Sequence, residues 1–216
     1  MKVLNLYAGI GGNRKLWEDV EVTAVEIVPE IAEIYQRFFS DDEIVIGDAH
    51  QFLLDHYQEY DFIWSSPPCP THSVTNSFLH AQGVIRYPDM RLWQEIVFLK
   101  TWSKAKWVIE NVKSYYDPLY PPTEIDRHYF WSNFHIAPYR MNKKFNITNT
   151  KISTRKDPET YLNELKKLHG FDINDVEMLR NCVYPPLGLH ILKCAQATIQ
   201  QPLTTFSKSR RMDNDE

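Results

Sequence analysis

The sequence predicts an α/β protein, a parallel sheet with helices on both faces. Three observations predict it. Short β-rich runs alternate with helical stretches over the first two-thirds of the chain, which implies βαβ crossovers. The first run opens into a glycine-rich turn, Gly9-Ile10-Gly11-Gly12. A later apolar run, residues 60–64, is stopped by Pro67 and Pro68. That leaves Cys69 at the carboxyl end of a strand, where open α/β sheets bind ligands.

Residues 2–7 read as the first strand, 13–18 as a helix and 22–27 as a second strand. Residues 29–39 read as a helix that begins with Pro29, a residue tolerated in a first turn because its missing N–H has no partner there anyway. A short strand at 44–46, a helix at 51–57 and the strand at 60–64 follow. Asp89 caps a helix reaching about Ser103, and 107–109 form the next strand. Beyond Val112 the pattern changes: residues 117–122 form a loop rich in proline and tyrosine, and 128–134 and 135–139 look like paired strands. Helices are expected at 160–169, 174–179 and 185–199, and residues 207–216 read as a charged, disordered tail.

At 216 residues the chain is long enough for one sizeable core, with aromatic content typical of a globular protein. It has no apolar run of membrane-spanning length, so no membrane partner is expected. Three scattered cysteines, Cys69, Cys182 and Cys194, make neither a disulfide framework nor a zinc signature, which fits a reducing cytoplasm. Net charge is −4, but it is unevenly spread: residues 1–99 carry −9 and residues 100–170 carry +6. Arg140, Lys143, Lys144, Lys151, Arg155 and Lys156 form a basic stripe without an acid among them. Such a stripe suits a phosphate backbone or, equally, a solvated lysine-rich loop.

The glycine turn lets backbone approach a ligand closely. Glu26 ends the second strand, placed for ribose hydroxyls, and Asp48 follows Gly47 at the end of the third. The spacing is G-x-G-G and not G-x-G-x-x-G, so a cofactor without a pyrophosphate fits better, S-adenosylmethionine being the common one. Residues 107–112 bring Glu110 to the same sheet edge as Cys69. A thiol and a carboxyl at adjacent strand ends suit addition to an electron-poor ring, with an acid nearby to share the developing charge.

In this order the motifs resemble the C5-cytosine DNA methyltransferase family over nearly the whole chain. Tyr7-Ala8-Gly9-Ile10-Gly11-Gly12 is similar to its first motif, Ser66-Pro67-Pro68-Cys69 to its catalytic loop and Glu110-Asn111-Val112 to its Glu-Asn-Val triplet. The segment Arg127-His128-Tyr129-Phe130-Trp131 and the later Asn181-Cys182-Val183 resemble two further motifs. The resemblance implies an S-adenosylmethionine-dependent Rossmann-like fold and methyl transfer to C5 of a flipped cytosine, with S-adenosylhomocysteine as product. It implies Cys69, Glu110 and Arg127 as catalytic residues. It implies cofactor contacts from Tyr7, Ala8, Gly9, Gly11, Gly12, Glu26 and Ile27, and from Asp48, Ala49, Pro68, Asn181 and Val183. Ser73 and Asn76, on the loop after Cys69, are expected to face nucleic acid with the basic stripe.

Three departures stand out. Pro70 replaces the family's glutamine after the cysteine. Asp126 and His128 occupy the places of two arginines, so either Arg127 or His128 contacts the cytosine. The stretch available for target recognition is short. The expected division is therefore a catalytic and cofactor domain at 1–136, a target-recognition region at 137–176, a returning segment at 177–206 and the tail. The expected partner is double-stranded DNA, with RNA open, and a second copy or partner subunit would compensate for the short recognition region. The expected setting is the cytoplasm of a bacterium or of a phage-infected host, with restriction-modification among the roles. An exocyclic-amine methyltransferase, an RNA methyltransferase of the same family and a silent DNA-binding partner are the rival readings. The amine enzyme is disfavoured because Cys69 stands where it has an aromatic residue.

Overall fold

The computed structural model describes residues 1–141 and 157–199. Five parallel strands form its centre: β1 (Lys2–Leu6), β2 (Glu21–Glu26), β3 (Glu43–Ile46), β4 (Phe62–Ser65) and β5 (Lys106–Val112). A hairpin of β6 (Thr123–Ile125) and β7 (His128–Ser132) completes a seven-stranded sheet in the order β3-β2-β1-β4-β5-β7-β6. β7 runs antiparallel to both β5 and β6, so the sheet is mixed where the sequence predicts a parallel one.

The central strands β1, β4 and β5 are mostly apolar because each is covered on both faces. Alternate residues sort to opposite sides, as the two-residue period demands. Val3, Phe62, Trp64 and Val108 pack on one face against Leu187 and Ile191 of α7 (Pro185–Ile199). Leu4, Ile63, Trp107 and Ile109 pack on the other, against Leu53 of α2 (Ala49–His56) and Leu92, Ile96 and Leu99 of α4 (Arg91–Trp102). α1 (Pro29–Phe38) flanks β2 and β3, and α3 (Asn76–Ala81) sits in the long loop after β4. α5 (Pro158–His169) and α6 (Val176–Asn181) share a third cluster with Ile10 of the glycine turn and Phe38 of α1.

Two expectations fail for identifiable reasons. Residues 13–16 form turns and 17–18 are irregular, so no helix forms over 13–18. Asn13 bonds the Asn5 side chain, and Arg14 clamps Asp42 while donating to the Trp17 carbonyl, so these side chains fix a non-helical path. Residues 135–139 do not pair with β7, because β5 fills one edge of that strand and β6 the other. Phe134 and Ile136 sink into the core instead. Tyr161, Leu165, Phe171, Leu179 and Cys182 belong to a single cluster.

Candidate functional site

The glycine turn leaves β1 at Tyr7, which takes a left-handed backbone with φ +54°. Gly11 and Gly12 are required by close approach. A Cβ on Gly11 would lie 2.3 Å from the Phe39 ring, and one on Gly12 would lie 2.8 Å from both the Cys182 Cβ and the Val183 carbonyl oxygen. The turn is pinned from β2 by Glu26, whose carboxylate accepts the Gly9 N–H at 2.9 Å and the Val28 N–H at 3.0 Å. Each oxygen of Glu26 keeps a lone pair for a further donor.

A cavity of about 310 Å³ opens above this turn. It brings together Tyr7, Ala8, Gly9 and Gly12 with Asn181 and Val183, six of the residues that the sequence assigns to a cofactor, and it reaches Glu110. Gly11, Glu26, Ile27, Asp48, Ala49 and Pro68 do not line it. Ile27 (62% exposed) and Ile46 (56% exposed) leave apolar surface uncovered at the ends of β2 and β3. Asp48 caps α2, accepting the His50 and Gln51 N–H groups, and its second oxygen receives Arg91 at 3.3 Å. Burial works against its charge, but those two N–H groups and the Arg91 guanidinium outweigh it and hold the carboxyl below its usual range. The sequence reading missed Ser66, Asp175, Glu177 and Met178 on the cavity wall. Asp175, which caps α6, and Glu177 within it carry no motif, and only their distance of four to six residues from Asn181 hints at them.

Cys69 and Glu110 leave neighbouring strands, β4 and β5, which run parallel in register with Ser65 opposite Ile109. Asn111 fixes the pair: its Nδ2 donates to the Pro67 carbonyl at 3.0 Å, tying the proline loop to β5. The thiol and the carboxyl feel each other. Burial first, then the Glu110 charge, push the Cys69 thiol up, while Arg127 opposes them. Burial pushes Glu110 up to about 7, against the pull of a Ser66 hydrogen bond and the Arg127 charge. Ser66 is itself oriented by Trp64, whose Nε1 donates to its hydroxyl at 2.8 Å.

Arg127 comes from the two-residue turn between β6 and β7, in which Asp126 takes φ +55°. Its guanidinium donates to the Arg180 carbonyl at 3.0 Å, joining the hairpin to the segment before Asn181. His128 Nε2 stands 3.6 Å from Glu110 Oε1, reached diagonally across β7 and β5, where Glu110 faces Phe130. Both candidates for the basic position therefore converge on one carboxyl. The thiol that does line the cavity, Cys182, is buried, donates to the Met178 carbonyl at 3.4 Å and is pushed up to about 12 by burial. It is part of the wall and not a nucleophile.

Asn76 needs correction as a nucleic-acid contact. It is buried, and its Nδ2 donates to the Pro70 carbonyl at 2.8 Å, so it braces the cysteine loop from within. Ser73 is half-buried beside it and accepts from Thr75. Arg140 is exposed, while Lys143, Lys144, Lys151, Arg155 and Lys156 lie outside the described residues, as does the expected tail. Among the described residues no cluster of histidine, cysteine or acidic side chains is placed to hold a metal, and no helix is long and apolar enough to cross a membrane.

Comparison with solved structures shows the fold. A methyltransferase of Entamoeba histolytica, EhMeth, superposes with a TM-score of 0.59 at 14% identity, covering 93% of this chain and 99% of that one. A variant of Spodoptera frugiperda DNMT2 matches at 25% identity and a TM-score of 0.37, over 53% of this chain and 36% of that one. A search of curated proteins gives no match. The sheet order and the covering helices are those of an α/β S-adenosylmethionine-dependent methyltransferase. The family model for C-5 cytosine-specific DNA methylase matches residues 1–118, the stretch that holds the glycine turn, Cys69 and Glu110, and the chain belongs to that family.

Proposed function

We propose that this protein methylates C5 of cytosine in duplex DNA, through a covalent bond between Cys69 and C6 of the base, with S-adenosylmethionine as donor. One observation carries the reading: the Cys69 thiol and the Glu110 carboxyl sit at adjacent strand ends within electrostatic reach, and Glu110 also walls the cavity above the glycine turn. Family membership supports DNA as the substrate.

The site suits the cofactor. Gly12 lets the turn close against Cys182 and Val183, which wall the cavity, Glu26 keeps lone pairs for ribose hydroxyls, and Asp175 and Glu177 give the cavity carboxylates suited to a positively charged ligand. When bound, S-adenosylmethionine supplies an electrophilic methyl group. The protein's residues do the rest. The Cys69 thiol loses its proton to water and its sulfur adds to C6; the C5–C6 electron pair moves onto C5, and N3 takes a proton from Glu110. Burial raises this carboxyl to about 7, so it can both hold and release that proton near neutral pH, which suits it to the task. After C5 is methylated, its hydrogen leaves to water, the S–C6 bond breaks and the N3 proton returns to Glu110. Arg127 offsets negative charge around the thiol throughout.

Trapping tests this. A duplex containing 5-fluorocytosine cannot release its C5 substituent as a proton, so a denaturation-resistant adduct should form that requires both cofactor and Cys69. An adduct on an RNA oligonucleotide alone would move the substrate to RNA, and no adduct on either polymer would refute methyl transfer through Cys69.

A further inference from the structure

Glu95, in the second turn of α4, is completely buried among Leu92, Trp93, Ile96 and Leu99. A carboxylate at such a place is costly unless its lone pairs are filled. Three groups fill them. Oε1 accepts the Tyr7 hydroxyl at 2.6 Å and lies 3.0 Å from His50 Nδ1; Oε2 accepts the Ser65 hydroxyl at 2.6 Å. One helical turn earlier, Arg91 reaches Asp48.

The partners are not scattered. Tyr7 opens the glycine turn and lines the cavity, His50 belongs to the turn that Asp48 caps, and Ser65 ends the strand that leads to Cys69. The chain segment carrying the thiol leaves β4 at Ser65 and enters α4 at Arg91, so both of its ends are bonded into this network. Tyr7 holds a left-handed backbone that a bulky residue adopts only when its surroundings over-determine it. The hydroxyl bond to Glu95 is the contact that locates the far end of its ring.

We propose that Glu95 is a positioning residue for methyl transfer: through the Tyr7 hydroxyl it fixes the ring that lines the cofactor cavity, and through Ser65 it couples that ring to the strand presenting Cys69. The inference rests on the methyl-transfer reading above. It adds a residue that touches neither cofactor nor base and acts through one that lines their shared cavity.

The test is a double-mutant cycle with Glu95→Gln, Tyr7→Phe and the pair, read by calorimetric titration with S-adenosylhomocysteine and by anisotropy with a fluorescent duplex. Glu95→Gln is expected to weaken S-adenosylhomocysteine about tenfold, the size of one hydrogen bond to a charged group, while duplex affinity stays within about twofold. In the Tyr7→Phe background the same change should matter by about twofold or less, because the bond is already absent. Equal losses in both backgrounds would overturn the proposal, as would an unchanged affinity in Glu95→Gln. If Glu95→Gln does not fold, Tyr7→Phe alone decides: it keeps the ring and should lose at least about threefold in S-adenosylhomocysteine affinity, and no loss overturns the proposal. A wild-type protein that fails to bind S-adenosylhomocysteine would instead overturn the methyl-transfer reading, and this inference with it.

Discussion

Glu110→Gln should make the protein more stable at pH 8 and inactive. In the folded chain Glu110 holds its proton up to about pH 7, against 4.5 for a free glutamate, because burial disfavours its charge. Between those two values the folded state binds more protons than the unfolded chain, so stability falls as pH rises, and the whole penalty is in place above pH 7. A shift of that size corresponds to roughly 3 kcal/mol, an upper figure if the loop relaxes around the charge. Glutamine cannot ionise and carries no such penalty. The variant and the wild type should therefore melt together near pH 5 and separate progressively above it. At pH 8 the variant should melt roughly 6–12 °C higher, taking about 2–4 °C per kcal/mol for a chain of this size. Calorimetric melting at pH 5, 6, 7 and 8 reads this directly, and a methylation assay on the same samples confirms the loss of activity. A difference that does not change with pH would refute the reasoning, and so would a variant less stable than the wild type at pH 8.

Further tests bear on the neighbouring groups. Cys69→Ser should abolish methyl transfer while leaving the calorimetric dissociation constant for S-adenosylhomocysteine within about twofold, because the thiol contributes to chemistry and not to the cavity above the glycine turn. Arg127→Ala removes a cation that lowers Glu110, so the pH-dependent loss of stability should extend above pH 7, and the lost bond to the Arg180 carbonyl should cost about 1–3 kcal/mol in chemical denaturation. Gly188→Ala would set a Cβ 2.3 Å from the Asn13 carbonyl oxygen, so it should destabilise by about 1–3 kcal/mol and weaken S-adenosylhomocysteine by displacing the glycine turn. Neutralising Lys143, Lys144, Lys151 and Lys156 should flatten the salt dependence of duplex binding by up to about one unit per lysine, with an unchanged slope showing that these residues do not touch the polymer.

What the sequence discloses depends on how local each determinant is. β1, β4 and β5 are legible because strands buried on both faces are predominantly apolar, and α7 begins at Pro185 and ends at Ile199 as the sequence predicts. The β6–β7 hairpin is not. Its turn is Asp126-Arg127, without the glycine that marks such turns, so the sequence points to a partner downstream of β7 and not upstream. Cys69 and Glu110 are legible because each sits inside a short motif at a strand end. Glu95 is invisible by the same logic: its bond to Tyr7 spans 88 residues, and in sequence it reads as one polar position on an amphipathic helix. Asn76 misled because a polar residue on a loop beside a nucleophile suggests ligand contact, whereas the loop's own carbonyl at Pro70 needed a donor.

The arrangement also explains why the carboxyl belongs on β5 and the glycine turn on β1. β4 lies between them in the sheet, so the thiol at its end stands flanked by the cofactor turn on one side and the acid on the other. Methyl transfer needs donor and acceptor atoms within about 3–3.5 Å and in line. Two separate pockets could meet that demand only by moving. Here a single cavity runs from Tyr7 and Gly12 to Ser66 and Glu110, so the donor's methyl and the ring of the base would occupy adjoining parts of one space. Asn111 holds the loop of β4 to β5, Glu95 holds the end of β4 to the glycine turn, and the two bonds act on opposite ends of the segment Ser65–Pro67. Loosening either one should therefore misalign the same pair of reacting atoms.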